Sequence, residues 1–481
     1  DGQLLRDGDD FTEQVTPFGK WWSLSNSSTL FAGSYYKDPI ILNEAFKEKS
    51  VGQTSDFLVD FLFFDPTAVN TTTKNVLPLT RYFGQPFGAI IARTGWEDGI
   101  QSSDVIAIMK VQAYNFSNHQ HLDAGSFQLY YKGPLTVQSG IYQGKNGAYG
   151  SEHFKNYSQR SIAHNTMLIY DSTETFSWHG NQISNDGGQR YPNGASEAGT
   201  MNDLLNKGYE TGEVLAHSFG PDTLKPDYSY LKGELAKAYS KKVKSFKRSF
   251  VFLNLTNAGV PAALIVFDKV SAGNKKFKKS WVLHCVEEPR IDGIQTTIAR
   301  AGKGYNGKLI NTTLLPGKAD LVINKIGGPG NEYSVLGKNF PQSMVNPATS
   351  SSDSAVWRIS VSPKVAATDN TFLNVMQVMA NGVTPEPKLL PETVETNELI
   401  GTKVGDRLVF FSKTGEPINK TFELQISTNE PVKVLITDVK TGSWTVSCVG
   451  DPKSSPGILK NTEGVLYFKA KKGRYLVTRN N

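Results

Sequence analysis

Apolar residues in Ser28–Tyr36, Pro39–Lys49 and Thr54–Phe64 recur at helical spacing, with Ser or Thr near two of the starts and Pro or Gly between the segments. They read as short helices, and three of them cannot enclose a core alone. From about Leu77 the period shortens. Phe87–Thr94 and Asp104–Val111 are short apolar β-rich runs, and similar runs recur every ten residues or so through Phe127–Tyr131 and Thr166–Tyr170, separated by Gly, Asn and Asp. The clearest hairpin pairs Phe246–Leu255 with Pro261–Val270 across Thr256-Asn257-Ala258-Gly259. Its second run, Ala262–Phe267, is apolar without alternation, the mark of a strand buried on both faces and so of stacked sheets. After about Ser362 the chain passes through the proline-bearing Asn381–Pro387. Further strands then follow near Arg407–Phe411, Thr421–Ile426, Val432–Thr437, Ser443–Val446, Val465–Phe468 and Gly473–Thr478.

This pattern predicts a mainly β protein in three parts: a helical segment over 1–75, a large central antiparallel β-sandwich over 76–378, and a smaller C-terminal β-sandwich over 379–481. No repeat of 20 to 50 residues and no low-complexity segment interrupts it.

Composition narrows the class. The chain has 481 residues, 38% hydrophobic and 20% charged, which suits a folded protein and argues against disorder or a coiled coil. No apolar run is long enough for a membrane helix. A chain that starts at Asp1, with neither an initiator Met nor a leader, is read as a mature or truncated product. A net charge of +6 fits an acidic partner. Nucleic acid is not expected, because zinc-finger spacing, a nucleic-acid motif and a dense basic tail are all missing from the sequence. Cys285 and Cys448 cannot make a disulfide framework and are read as isolated structural thiols.

The chemistry concentrates in Asn118-His119-Gln120-His121-Leu122-Asp123-Ala124-Gly125. Five of the seven histidines, His119, His121, His153, His164 and His179, lie between residues 119 and 179. On an extended strand His119, His121 and Asp123 share one face. The pair is read in three ways: metal ligands, a catalytic base with its helper, or satisfied core histidines. Tyr142 and Tyr149 sit in a glycine-rich stretch, Ser139–Gly150, suited to close approach of a ligand. They are read as sugar-stacking phenols or as loop anchors. The basic runs Lys241–Arg248 and Lys275–Lys279 are read as solvated strand faces or anion sites, and Arg160 as the cation best placed beside the histidines.

The runs Asn118–Gly125, Phe127–Gly133 and Ala163-His164-Asn165-Thr166, continued through Ser184–Arg190, Gly220-Pro221-Asp222, Pro226–Gly233 and Arg248–Leu255, resemble the heparinase II/III-type polysaccharide lyases. The resemblance extends over essentially the whole chain. It implies an N-terminal α/α toroid, of which residues 1–75 would be the end, a central β-sandwich and a smaller C-terminal β domain. It also implies cleavage of heparin or heparan sulfate by β-elimination at the uronic acid, in the periplasm or outside the cell. Such elimination needs a base for the C5 hydrogen, a group that neutralises the carboxylate, and an acid for the departing oxygen. On that resemblance His119 is the base or acid, Asn118 a carboxylate contact, and Tyr142 and Tyr149 substrate contacts. His121 and His179 are ligands of a structural zinc, with Gln138 where the family has an Asp. A neutral amide is the poorer ligand. The toroid's own catalytic Tyr and His have no counterpart in the sequence. The first reading is therefore a lyase of heparinase II type or its C-terminal portion, with a homodimer as a further candidate assembly. The alternative is a non-catalytic β-sandwich module that binds acidic polysaccharide. Splitting the histidines between substrate and metal predicts a turn, bulge or loop at Gln120.

Overall fold

The computed structural model describes residues 5–10, 27–50, 57–63, 74–97, 99–142, 146–302, 304–342 and 354–480. Helices occupy Ser27–Tyr36, Pro39–Ser50 and Phe57–Phe63, close to the expected segments. Among the described residues no helix is long and apolar enough to cross a membrane.

The rest is antiparallel β with a single parallel pair among its named strands. A five-stranded meander runs Thr80–Phe83, Ala89–Arg93, Ile106–Lys110, Phe127–Tyr130 and Pro134–Thr136. A four-stranded sheet orders Leu321–Gly327, Trp357–Pro363, Lys278–Cys285 and Met167–Tyr170. Both pack on one face of an eight-stranded sheet whose centre is Asp369–Ala380, Ala262–Ala272 and Val243–Asn254. The expected hairpin is present, with Phe246 opposite Val270 and Asn254 opposite Ala262.

Ala262–Ala272 is buried on both faces because it is a middle layer. Leu264, Val266 and Val270 face Phe127, Phe250 and Trp281 in one core, whereas Ala263, Ile265 and Phe267 face Phe411, Val409 and Leu435 in another. Phe267 stacks on Phe411 at 4.6 Å between ring centroids, so the C-terminal block is docked on the central sheet through an apolar seam. That block is a sandwich of five and four strands closed around Trp444, Tyr475 and Phe410. The central sheet continues to Ala380 and the next begins at Glu392, so the proline-bearing stretch is the connection between them. Cys285 and Cys448 are free thiols in separate cores.

The layered core also holds charge. Arg248 and Asp268 face each other across the hairpin, both fully buried, with Nε to Oδ1 at 2.7 Å and Nη2 to Oδ2 at 2.7 Å. The guanidinium's other amine donates to the Gly125 carbonyl at 2.6 Å and to Asn165 O at 3.2 Å. The pair thus ties the central sheet to the segment after the two histidines.

Candidate functional site

Residues 111–126 leave the meander between Ile106–Lys110 and Phe127–Tyr130 as an ordered loop, not a strand. The alternating face expected for His119, His121 and Asp123 does not exist. The cause is local: Asn115 Oδ1 accepts from Ser117 N at 2.8 Å, an Asx turn that diverts the chain. Ser117 and Asn118 then take φ of 66° and 45°, a left-handed conformation that Asn tolerates better than most residues. Beyond the turn, the Asn115 amide donates to the His121 carbonyl at 2.8 Å, so one side chain clamps both ends. The reversal predicted at Gln120 is therefore a turn centred on Asn118 and His119.

The turn separates the imidazoles. His119 is 62% exposed at its side chain, whereas His121 is fully buried. Both are held by Asp9, whose Oδ2 meets His119 Nδ1 at 2.8 Å and whose Oδ1 meets His121 Nε2 at 2.7 Å. Asp9 N also donates to the His119 carbonyl at 3.1 Å. Gly8 allows this approach: at φ 56° a Cβ on it would stand 2.3 Å from the His119 oxygen. Sequence reasoning missed Asp9, which lies 110 residues from His119 in a stretch without a motif.

Because an ionised carboxylate only accepts, Asp9 fixes the Nδ1–H tautomer of neutral His119 and leaves Nε2 with its lone pair toward solvent. Among the described residues Nε2 makes no hydrogen bond. Asn118 is exposed beside it, its Oδ1 accepting from His119 N at 3.0 Å.

Aromatic rings extend the site. His119 meets Tyr142 edge-on at 5.8 Å, Tyr142 meets Phe154 at 5.5 Å, Phe154 meets Tyr149 at 5.4 Å, and Tyr149 meets Trp178 at 5.2 Å. Exposed His179 ends the row, its Nε2 3.1 Å from the Tyr149 hydroxyl. Burial, and secondarily the Asp9 charge, raises the Tyr142 phenol above its ordinary range, so it stays a hydrogen-bond donor.

His153 sets the near end of this row. Its Nδ1 donates to Phe340 O at 2.8 Å while Nε2 accepts from Ile141 N at 3.2 Å, next to Tyr142. Burial pushes its pKa from 6.5 down to about 4, against the opposing effect of the bond to the Phe340 carbonyl. Burial lowers His164 and His284 in the same direction. For each, the folded pKa lies below the unfolded one, so its stabilising share is complete above pH 6.5 and is lost as pH falls toward the folded value. Between pH 6.5 and 5, where carboxylates are still largely ionised, unfolding free energy is expected to drop by up to ~1.4 kcal/mol per pH unit per buried histidine. Urea titrations at several pH values measure the slope, and His153→Gln should make it shallower by one proton. An identical slope in the variant would mean that His153 is not held neutral.

The remaining expected residues separate. Asp123 pairs with buried Lys110 at 2.7 Å, not with the histidines. Arg160 is fully buried and bonded to Asp186, unavailable to a ligand. His121 Nδ1 lies 3.2 Å from His164 Nε2, so with Asp9 on its other nitrogen both ring positions are taken. Gln138 Nε2 donates to Gly8 O at 2.9 Å, its Oε1 buried without a partner. Among the described residues His121 is bonded to Asp9 and His164, His179 to Tyr149 and Gln138 to Gly8, and no hydrogen bond links the three to one another. Among the described residues no three of His, Cys, Asp and Glu are grouped to hold a metal ion. The residues present do not fit the zinc that the resemblance implies, and no step below is routed through a metal.

Residues 92–284 match the family model described as "Heparinase II/III-like, C-terminal", and residues 393–479 match that of the "Heparinase II C-terminal domain". The first spans the loop and the segments behind it, the second the C-terminal sandwich. No curated protein matches. Among solved structures, the chain is similar to a heparan sulfate lyase HepC mutant from Pedobacter heparinus at 12% identity and TM-score 0.46, covering 82% of this chain and 48% of that one. It is also similar to the Heparinase III-BT4657 gene product with methylated lysines, at 13% identity and TM-score 0.46, covering 83% and 47%. A heparinase III crystal structure matches at 14% identity and TM-score 0.42, covering 77% and 48%. The chain thus spans about half the length of these structures.

Proposed function

We propose that this chain, which carries both heparinase II/III-type C-terminal regions, belongs to a polysaccharide lyase of heparinase II type acting on heparin or heparan sulfate in the periplasm or outside the cell. The observation that carries the reading is His119: an exposed imidazole whose inner nitrogen is pinned by a buried carboxylate, at the head of a row of aromatic rings. In β-elimination, His119 Nε2 takes the C5 proton of the uronic acid, the C4–O bond breaks, a C4=C5 double bond forms, and an acid returns a proton to the departing oxygen. Asn118 is a polar contact for the uronate carboxylate. Tyr142 and Tyr149 stack on or donate hydrogen bonds to neighbouring sugars.

The test is direct. The product is an unsaturated uronate that absorbs in the ultraviolet, so digestion of heparan sulfate by the 481-residue chain is followed by absorbance. Binding without absorbance would favour the second reading, a non-catalytic module for acidic polysaccharide. The net charge of +6, which suits an acidic polymer whether or not it is cleaved, is the observation on that side. Tyr149→Ala is expected to raise KM about 5- to 10-fold, the loss of roughly 1 kcal/mol of ring contact, with kcat little changed. The residue is 55% exposed, so the fold should tolerate removal of the ring. An unchanged KM would take Tyr149 out of the binding surface.

A further inference from the structure

The basic run Lys275–Lys279 plays no part in the site above. It runs from the turn after one core strand, Ala262–Ala272, into the start of the next, Lys278–Cys285, and lies against a second turn over 364–368 that joins Trp357–Pro363 to Asp369–Ala380. Between the two turns is a groove of about 390 Å³ lined by Lys275, Lys276, Lys278, Lys279 and Lys364 and by no carboxylate. Five of the chain's Lys and Arg side chains therefore meet in one depression, on a protein whose whole net charge is only +6.

The groove is built, not merely decorated. Asn274 shapes the first turn, its Oδ1 accepting from Lys276 N at 3.0 Å and its carbonyl from Phe277 N at 3.1 Å. Lys279 is buried and its Nζ donates to Ala367 O at 2.5 Å, stapling the first turn to the second. Asp320 holds the second turn from behind, accepting from Val365 N at 2.8 Å. Asp369 flanks it, bonded to the Thr368 hydroxyl at 2.8 Å. Neither acid lines the groove. Lys275, Lys276 and Lys278 are exposed and form no ion pair among the described residues. Three ammoniums without an ion pair among the described residues, held on a turn and the start of the strand after it, repel one another, a cost that a polyanion would relieve.

We propose that this groove is a second binding site for a sulfated linear polysaccharide, separate from the His119 loop. The proposal deepens the lyase reading and rests on it for the choice of polyanion. His284, near the far end of the same strand, bonds Asn165 beside His164. At about 3.3 Å per residue, the Lys278 end lies roughly 20 Å from it. A long chain engaging the groove would be tethered while the loop works elsewhere on the molecule, whereas a short oligosaccharide would gain nothing. Single-stranded nucleic acid fits less well, since Phe277, the groove's aromatic ring, is half-buried and packed on the core rather than offered for stacking.

The full chain and a K275S/K276S/K278S variant are titrated with size-fractionated heparin at several salt concentrations. Affinity in the variant should fall at least tenfold at 0.1 M salt, and the slope of log K against log salt should shrink by about three, one counterion per lysine removed. Replacement of the same residues by Arg should keep both. Unchanged affinity and slope in the serine variant would overturn the proposal, as would tighter binding of single-stranded RNA of equal charge. If the chain binds heparin through these lysines but yields no absorbing product, the groove stands and the lyase reading fails. If it cleaves heparan sulfate and the serine variant binds as before, the reverse holds.

Discussion

His119→Ala should lower cleavage of heparan sulfate by a factor of about 10² to 10⁴, the usual contribution of a positioned acid–base group. The melting temperature should stay within a degree or two of the unsubstituted chain, because the side chain is 62% exposed and, among the described residues, hydrogen-bonded to Asp9 alone. That combination separates a chemical role from a structural one. His121→Ala is the contrast: it empties a fully buried position bonded to Asp9 and His164, and its main loss should be stability. The assay is formation of the unsaturated uronate with enzyme concentration verified by folded fraction. Full activity in His119→Ala would retire the site assignment, whatever the fate of the fold.

How much of this was legible in sequence depends on range. Strand positions were readable because a buried layer leaves an apolar run, as in Ala262–Phe267, whose two faces are filled by different cores. The segments that carry the family resemblance are informative for a reason visible only in three dimensions. Thr166 Oγ1 and Gln189 Nε2 both donate to Ala124 O, at 3.0 and 2.8 Å, and Arg248 holds Gly125, so residues scattered over more than a hundred positions converge on the back of one loop. The loop departs from the extended strand that spacing alone suggests, and the turn, bulge or loop that the split of the histidines predicts at Gln120 is present two residues earlier. Period-two spacing in His119, His121 and Asp123 mimics an alternating face, and the Asx turn at Asn115 outweighs it. Sequence proximity places Arg160, and strand alternation Asp123, beside the histidines, but each is consumed by a buried opposite charge, Asp186 and Lys110. On the third helix Phe57, Leu58, Phe61 and Leu62 are exposed among the described residues, in keeping with helices that cannot enclose a core alone. Asp9 was beyond reach, since a lone carboxylate far from the motif carries no periodic or compositional signal.

Asp9 is where the second large effect is expected. One carboxylate accepts from two histidines at 2.8 and 2.7 Å, and an amide cannot copy this. In Asp9→Asn the side-chain oxygen accepts from one ring, while the NH₂ group must donate to the other. If the NH₂ faces His119, Nδ1 becomes the acceptor, the ring proton moves to Nε2, and the exposed nitrogen loses the lone pair that abstracts the C5 proton. If it faces His121, that buried ring must change tautomer against His164 instead. The first outcome should cost about 10² to 10³ in kcat through the wrong tautomer, with KM unchanged because Asp9 is buried and does not touch substrate. The second would appear as a lower melting temperature with kcat retained. Asp9→Glu should not restore activity, since an extra methylene displaces the carboxylate from a site that already needs glycine beside it. The decisive measurement is kcat and KM of Asp9→Asn alongside its unfolding curve. Unchanged kcat and unchanged stability together would show that Asp9 neither orients His119 nor supports His121.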